Sequence, residues 1–204
     1  MQIQIERVSG GKLTRNDIRA MHGLRYEVFR ERLQWDVQCD NGIERDLFDD
    51  LDPIYMLVKD DSGKVFGCWR MLPTTGPYML KDTFPQTLCG QTAPEHANVW
   101  ELSRFALGPQ HEGRAHGFCQ TAVLMMESAV EFAIEQSVTQ FVTVTTVAIE
   151  RLLKTLGVPT RRFGAPVQVG IEKTVAFTID VNRNTLLLLR RHTGVSTTDG
   201  KLVA

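Results

Sequence analysis

The stretch Val99 to Leu107, VWELSRFAL, constrains the fold more than any other part of the chain. It reads as a buried central strand, with β-branched and aromatic residues, no Gly or Pro inside, and a Gly108-Pro109 stop directly after. Glu101 and Arg104 break that pattern. Neither residue type is often fully buried, and burying them costs free energy unless they are paired or used. Strict alternation puts Glu101 on one face with Ser103 and Phe105, and Arg104 on the other with Trp100 and Leu102. For both to serve one pocket, the strand needs a bulge between them. A structural ion pair with neighbouring strands is the plainer account of the same residues.

The rest of the sequence narrows the choice. At 204 residues the chain suits one domain with a sizeable core, read as 1–204 with 194–204 a mobile tail. Lys and Arg number 23 against 24 Asp and Glu, so no basic field invites nucleic acid, and an electrostatic partner must meet a local patch. Cys39, Cys68, Cys89 and Cys119 show neither metal nor disulfide spacing. The start MQIQIERV lacks a signal-peptide pattern, and no run approaches the roughly 20 apolar residues of a membrane span. These features suit a soluble, cytoplasmic protein that binds neither membrane nor nucleic acid.

In chain order, Gln2–Val8 alternates like a strand. Thr14-x-x-Asp17 resembles a capping box opening a helix through about Leu33, on which Arg25 and Phe29 project together. Residues 34–53 are acidic and aperiodic, expected to be a loop or ligand-ordered lid. Their aspartates do not fit a calcium loop. Ile54–Lys59 and Lys64–Leu72 form a hairpin, with Arg70 sharing a face with Phe66, Cys68 and Leu72. Tyr78–Phe84 is a short helix, and Gly117–Gln136 a strong amphipathic one whose Glu127, Glu131 and Glu135 form a solvated stripe. Phe141–Val147 is a strand, Ala148–Leu156 a helix closed by Gly157, Val167–Val181 two strands broken at Glu172-Lys173, and Thr185–Arg191 a last short helix. This order predicts an α/β fold, a mixed twisted sheet with helices on both faces, and matches the Gcn5-related N-acyltransferase arrangement.

Arg25, Phe29, Trp35, Asp46, Asp49, Arg70, Phe84, Glu101 and Arg104, with the blocks FGCWRML, TTGPYMLKDTFP and WELSRFAL, resemble the acyl-homoserine-lactone synthases of quorum sensing. The likeness runs from the first helix to about Val181, with several blocks in order, and the C-terminal tail diverges. It implies that the α-amine of S-adenosylmethionine attacks the thioester of an acylated acyl carrier protein. The methionyl carboxylate then displaces methylthioadenosine and closes the lactone. S-adenosylmethionine is a substrate, and neither cofactor nor metal is expected.

Read against that chemistry, Glu101 is the base for the amine, directly or through one water, with Ser103 and Arg104 completing the catalytic group. A bulge near Leu102 to Arg104 offers backbone amides to the tetrahedral intermediate. Arg25 and Arg104 either fork onto the substrate carboxylate or pair with Asp46 and Asp49 to order the lid. Phe29 and Trp35 offer faces to the adenine or the sulfonium, and Asp46, Phe105 and Thr143 complete the S-adenosylmethionine set. Asp46, Asp49 and Arg70 are ion-pair organisers of the lid. Trp69, Met79, Leu102, Phe105, Met126, Val144, Thr145 and Leu153 are candidates for the acyl pocket, each equally at home in a plain core. In the family a Thr at position 145 goes with a 3-oxo chain, and the unbranched Met125 and Met126 suit a medium or long one. Arg151, Lys154, Arg161 and Arg162 are the densest cationic patch for an acidic carrier protein.

Two rivals stand beside this reading. Gln110 to Ala115 fits the Q-x-x-G-x-A pyrophosphate loop of acyl-CoA-dependent Gcn5-type N-acyltransferases. A non-catalytic small-ligand sensor of the same fold would have no need of Glu101. A hydrolase is disfavoured by the absence of a G-x-S-x-G elbow, and His111, His116 and Cys119 resemble metal spacing only loosely.

Overall fold

The structure, a computed structural model, describes residues 3–108 and 120–193. An eight-stranded mixed sheet runs in the order β1-β4-β5-β6-β7-β10-β8, with β9 paired to β10. Its first four strands are β1 (Gln4–Ser9), β4 (Ile54–Lys59), β5 (Val65–Pro73) and β6 (Val99–Leu107), joined antiparallel. The other half holds β7 (Gln140–Thr146), β8 (Thr160–Arg162), β9 (Val167–Val169) and β10 (Glu172–Asp180). The two halves meet where β6 and β7 pair in parallel, from Val99 and Gln140 to Leu102 and Thr143. Beyond Leu102 that pairing stops, and the sheet splays open.

Helices α3 (Gln120–Glu135), α4 (Val147–Thr155) and α5 (Arg183–Thr193) cover one face, over a core that includes Trp69, Met71, Leu102, Met126, Phe141, Leu153, Phe177 and Leu189. The other face carries α1 (Arg15–Arg25), its extension, and the short α2 (Met79–Asp82). Thr14 caps α1 by accepting from the Asp17 amide at 3.1 Å, as its spacing predicts. The helix then widens into a π-helical segment, Tyr26–Arg32, in which the Leu33 amide reaches back to the Val28 carbonyl at 3.0 Å. Such widened turns recur at functional sites.

Several expectations need correction. Residues 34–53 are packed rather than a free lid: β2 (Cys39–Asp40) and β3 (Ile43–Glu44) form a small hairpin, a 3-10 turn covers Leu47–Asp50, and Trp35 and Phe48 are buried. The Glu stripe of α3 is not uniformly solvated. Glu127 is buried, accepting from Arg190 Nε at 3.0 Å and the Thr193 hydroxyl at 2.9 Å, so it ties α5 to α3. A bulge at Phe66 turns that ring to the α3 face, away from Arg70, and β9 and β10 break at Gly170-Ile171 rather than at Glu172-Lys173. The Gln110–Ala115 motif, His111, His116, Cys119 and the tail from Gly194 lie outside the described residues.

Candidate active site

The bulge that Glu101 and Arg104 require is present. Cys68 pairs with Ala106 and Arg70 with Ser103, so β6 carries one residue more than β5 between those points. Arg104 takes up the difference with φ +58, a left-handed conformation unusual for a non-glycine residue. The extra residue resets the alternation. Arg104 joins Glu101 and Ser103 on the α1 side, while Phe105 moves to the α3 side, its ring 5.0 Å from that of Trp69. The strict-alternation assignment of Arg104 and Phe105 is therefore reversed.

Glu101 is fully buried, accepting from the Met79 amide at 3.0 Å and the Leu80 amide at 2.7 Å. The carboxylate thus caps the N-terminus of α2. Burial pushes its pKa above the ordinary carboxyl range, opposed by those two amides, the Arg70 charge and the Ser103 hydroxyl. A buried carboxylate held this way can accept a proton without changing position.

Three buried arginines, Arg25, Arg70 and Arg104, meet three carboxylates, Glu44, Asp46 and Asp49. Arg25 donates through Nε to Glu44 at 2.5 Å and through its two terminal nitrogens to Asp49 at 2.7 and 2.9 Å. Arg70 forks onto Asp46 at 2.6 and 3.0 Å, reaches Asp49 at 2.7 Å, and donates to the Ser103 hydroxyl at 3.2 Å. Arg104 holds Glu44 at 3.1 and 2.8 Å and Asp46 at 2.9 Å, with its guanidinium carbon 5.1 Å from the Phe29 ring centre. The formal charges cancel, and burial is repaid by geometry rather than by solvent. Burial works to raise Asp49, yet Arg25 and Arg70 hold its carboxyl far below the usual range. Burial pulls Arg104 down, helped by Arg25 and Arg70 against Glu44 and Asp46, but a guanidinium stays charged.

Arg25 and Arg104 both pair with the acidic segment, and Arg104 also lines the cavity. Arg25 and Asp46 lie behind the site, outside the lining of its cavity. Glu44 is the residue sequence reasoning missed. It is fully buried and joins Arg25 to Arg104, and its backbone carbonyl accepts from Nδ1 of buried His22 at 2.7 Å. In an acidic stretch nothing distinguishes it, although Asn41-Gly42, with φ +49 and +76, marks the hairpin that carries it.

A cavity of about 630 Å³ opens in front of this network and passes between the splayed strands. Phe29, Trp35, Phe84, Glu101, Ser103 and Arg104 line one end, and Ala122, Met126, Ile149 and Leu153 the other. Trp35 packs between Phe29 and Phe84, with ring centres 5.5 and 5.9 Å away. Trp69, Met79, Leu102, Phe105, Val144 and Thr145 also line the cavity, so all eight candidate acyl-pocket residues reach it. Thr143 lines it too, but its hydroxyl is spent on the Leu102 carbonyl at 2.8 Å, fixing the last β6–β7 rung. Thr145, two residues on, bonds no protein acceptor through its hydroxyl among the described residues.

The proposed carrier patch is weaker than its count. Lys154 and Arg162 both bind buried Glu150, the former at 2.9 Å, and hydrogen bonding to Arg162 lowers the Glu150 carboxyl to about 2. Arg151 and Arg161 remain exposed.

A mixed sheet that splays between two parallel strands, with helices on both faces, is the fold of the Gcn5-related N-acyltransferases. An acyl-CoA N-acyltransferase from Pseudomonas aeruginosa shares that fold at 14% identity, with a TM-score of 0.59 over 86% of this chain and 98% of its own. Within that class the chain belongs to the autoinducer synthase family, which matches residues 10–188, and it is an acyl-homoserine-lactone synthase. It is 43% identical to an acyl-homoserine-lactone synthase of Pseudomonas aeruginosa over 171 residues, 83% of this chain and 85% of that one. Identity to one from Aliivibrio fischeri is 38% over 184 residues, 89% and 95% of the two chains. The crystal structure of the AHL synthase LasI superposes with a TM-score of 0.83 at 39% identity, covering 96% of this chain and 98% of that one. The CoA-dependent synthase BjaI, solved with SAM and isopentyl-CoA, superposes at 0.84 with 25% identity, covering 96% and 91%. TofI in a ternary complex with an inhibitor and MTA superposes at 0.76 with 36% identity, covering 93% and 96%.

Proposed function

We propose that this synthase takes a medium to long 3-oxo acyl chain from an acylated acyl carrier protein and joins it to S-adenosylmethionine. The observation that carries this reading is one continuous cavity, polar and aromatic at the Glu101–Trp35 end and apolar at the Met126–Leu153 end. S-adenosylmethionine occupies the first end, with Trp35 and Phe29 facing its adenosyl and sulfonium groups, and the acyl chain the second. Glu101 takes a proton from the ammonium, and the freed amine attacks the thioester carbon. Backbone amides at the Arg104 bulge stabilise the resulting oxyanion, and the thiolate leaves with a proton. The carboxylate oxygen then bonds to the γ-carbon, the carbon–sulfur bond breaks with its electron pair on sulfur, and neutral methylthioadenosine departs. Arg25, Arg70, Asp46 and Asp49 position this machinery from behind. The Thr145 hydroxyl, which bonds no protein acceptor among the described residues, suits a 3-oxo carbonyl, and an unsubstituted chain would leave the hydroxyl without that bond.

Mass spectrometry of products from S-adenosylmethionine with a panel of acyl carrier proteins and acyl-CoAs tests this. A 3-oxo lactone with methylthioadenosine, formed only from the carrier protein, is expected. Comparable turnover with acyl-CoA, as in BjaI, would reassign the donor.

A further inference from the structure

Two charged residues of the cavity, Arg32 and Glu172, have no part in this scheme, and only Glu172 meets no partner among the described residues. Glu172, the first residue of β10, lines the same cavity as Trp35, Phe29 and Glu101 and is half-buried. Its carboxylate meets no cation or hydrogen-bond donor among the described residues. The neighbouring cations are engaged: Arg104 by Glu44 and Asp46, and Arg32 by the Leu107 carbonyl at 3.5 Å and a further partner.

The β9–β10 turn fixes where this carboxylate sits. Gly170, at φ +56, lies so close to the preceding segment that a Cβ there would come within 2.9 Å of the Gln34 carbonyl and 3.1 Å of Trp35 Cδ1. The turn therefore rests on the backbone that carries Trp35, and Glu172 follows two residues later. An anion at the edge of a largely apolar cavity, with no counter-charge among the described residues, favours a cationic ligand over a neutral one.

We infer that Glu172 is a specificity residue for the sulfonium form of the substrate, holding S-adenosylmethionine against its own product. This rests on the proposed placement of S-adenosylmethionine at the Trp35 end. Cleavage of the carbon–sulfur bond turns the sulfonium into a neutral thioether, so the attraction from Glu172 vanishes as methylthioadenosine forms. The residue thereby favours substrate entry without slowing product release.

Equilibrium binding of S-adenosylmethionine and of methylthioadenosine to the full chain, wild type and Glu172→Gln, separates the possibilities. Glu172→Gln should weaken S-adenosylmethionine by roughly three- to tenfold at low salt. Methylthioadenosine affinity should stay the same, as should that of S-adenosylhomocysteine, which keeps the ammonium but has a neutral sulfur, and the loss should shrink in high salt. Equal weakening of S-adenosylhomocysteine would overturn the assignment to the sulfonium. Glu172→Asp should recover part of the affinity, and unchanged thermal melting shows that each variant is folded. Equal weakening of both ligands would overturn the inference, because it assigns Glu172 to the shared ribose or adenine. Unchanged binding of both would overturn it as well. Failure of the wild type to bind S-adenosylmethionine would instead remove the reading on which the inference rests.

Discussion

Glu101 is both a structural cap and the group proposed to move a proton, and the two roles can be separated. In Glu101→Gln the side-chain oxygen still accepts from one α2 amide, while its NH2 faces the other, so a stability loss of about 1–3 kcal/mol is expected. Acylation should slow by roughly two to four orders of magnitude with S-adenosylmethionine binding retained. Rapid-quench detection of the acylated amine checks this, and near-normal rates would remove Glu101 from the chemistry. Because its folded pKa is raised, the base form appears only as pH climbs past the usual carboxyl value of about 4.3. The acid limb of the acylation rate should lie above that value and vanish in the variant. The same raised pKa makes ionisation of Glu101 a cost to folding that grows with pH across the interval. Glu101 and Arg104 were legible because charge in an apolar strand is anomalous, whereas Glu44 was hidden because one more acid in an acidic stretch is ordinary.

The segment between the π-helical turn and β4 holds its shape through arginines on three separate elements: Arg25 from α1, Arg70 from β5 and Arg104 from β6. Removing one leaves its carboxylates buried without a counter-charge. Arg25→Met, similar in length and apolar, should therefore cost about 3–5 kcal/mol in urea denaturation, well beyond an exposed ion pair. A loss under 1 kcal/mol would show that solvent replaces the guanidinium and that the segment is loosely held. The depressed Asp49 carboxyl adds a pH signature. Its contribution is complete above the unfolded value of about 3.9 and is lost as pH falls below it, so acid should narrow the gap between wild type and Arg25→Met. At this scale, strands and long helices follow from their periodicity, since a period of 2 or 3.6 is a local property. The π-helical turn and the buried Glu127 do not, because each is decided by what packs against it from elsewhere in the chain, while the Arg104 bulge is read from the two charges that require it rather than from any period.

Across the whole molecule the net charge is only −1, so the proposed carrier-protein donor, being acidic, would have to be drawn by the exposed Arg151 and Arg161, Glu150 having neutralised part of their neighbourhood. Reversing both to Glu should raise KM for the acyl carrier protein about tenfold and leave acyl-CoA turnover alone. Equal effects on both donors would place the lesion in the cavity rather than at a docking surface. Chain length is likewise set by the assembled molecule: the apolar residues of α3, α4 and β7 could each be read as core, and only the splay between β6 and β7 makes them one cavity wall. Ala122 tests that view. It is buried on α3 and lines the cavity at the end away from Trp35, so Ala122→Leu pushes extra carbon into the space the chain's far end would take. Each buried methylene is worth about 0.8 kcal/mol, a roughly fourfold preference, so losing room for two or three should tilt competition between donors toward shorter chains by one to two orders of magnitude. Mass spectrometry of lactones from mixed acyl carrier proteins reads that ratio directly, while the Kd for S-adenosylmethionine should not move. A shift in that Kd with no change in chain preference would mean that the two ends of the cavity are occupied the other way round.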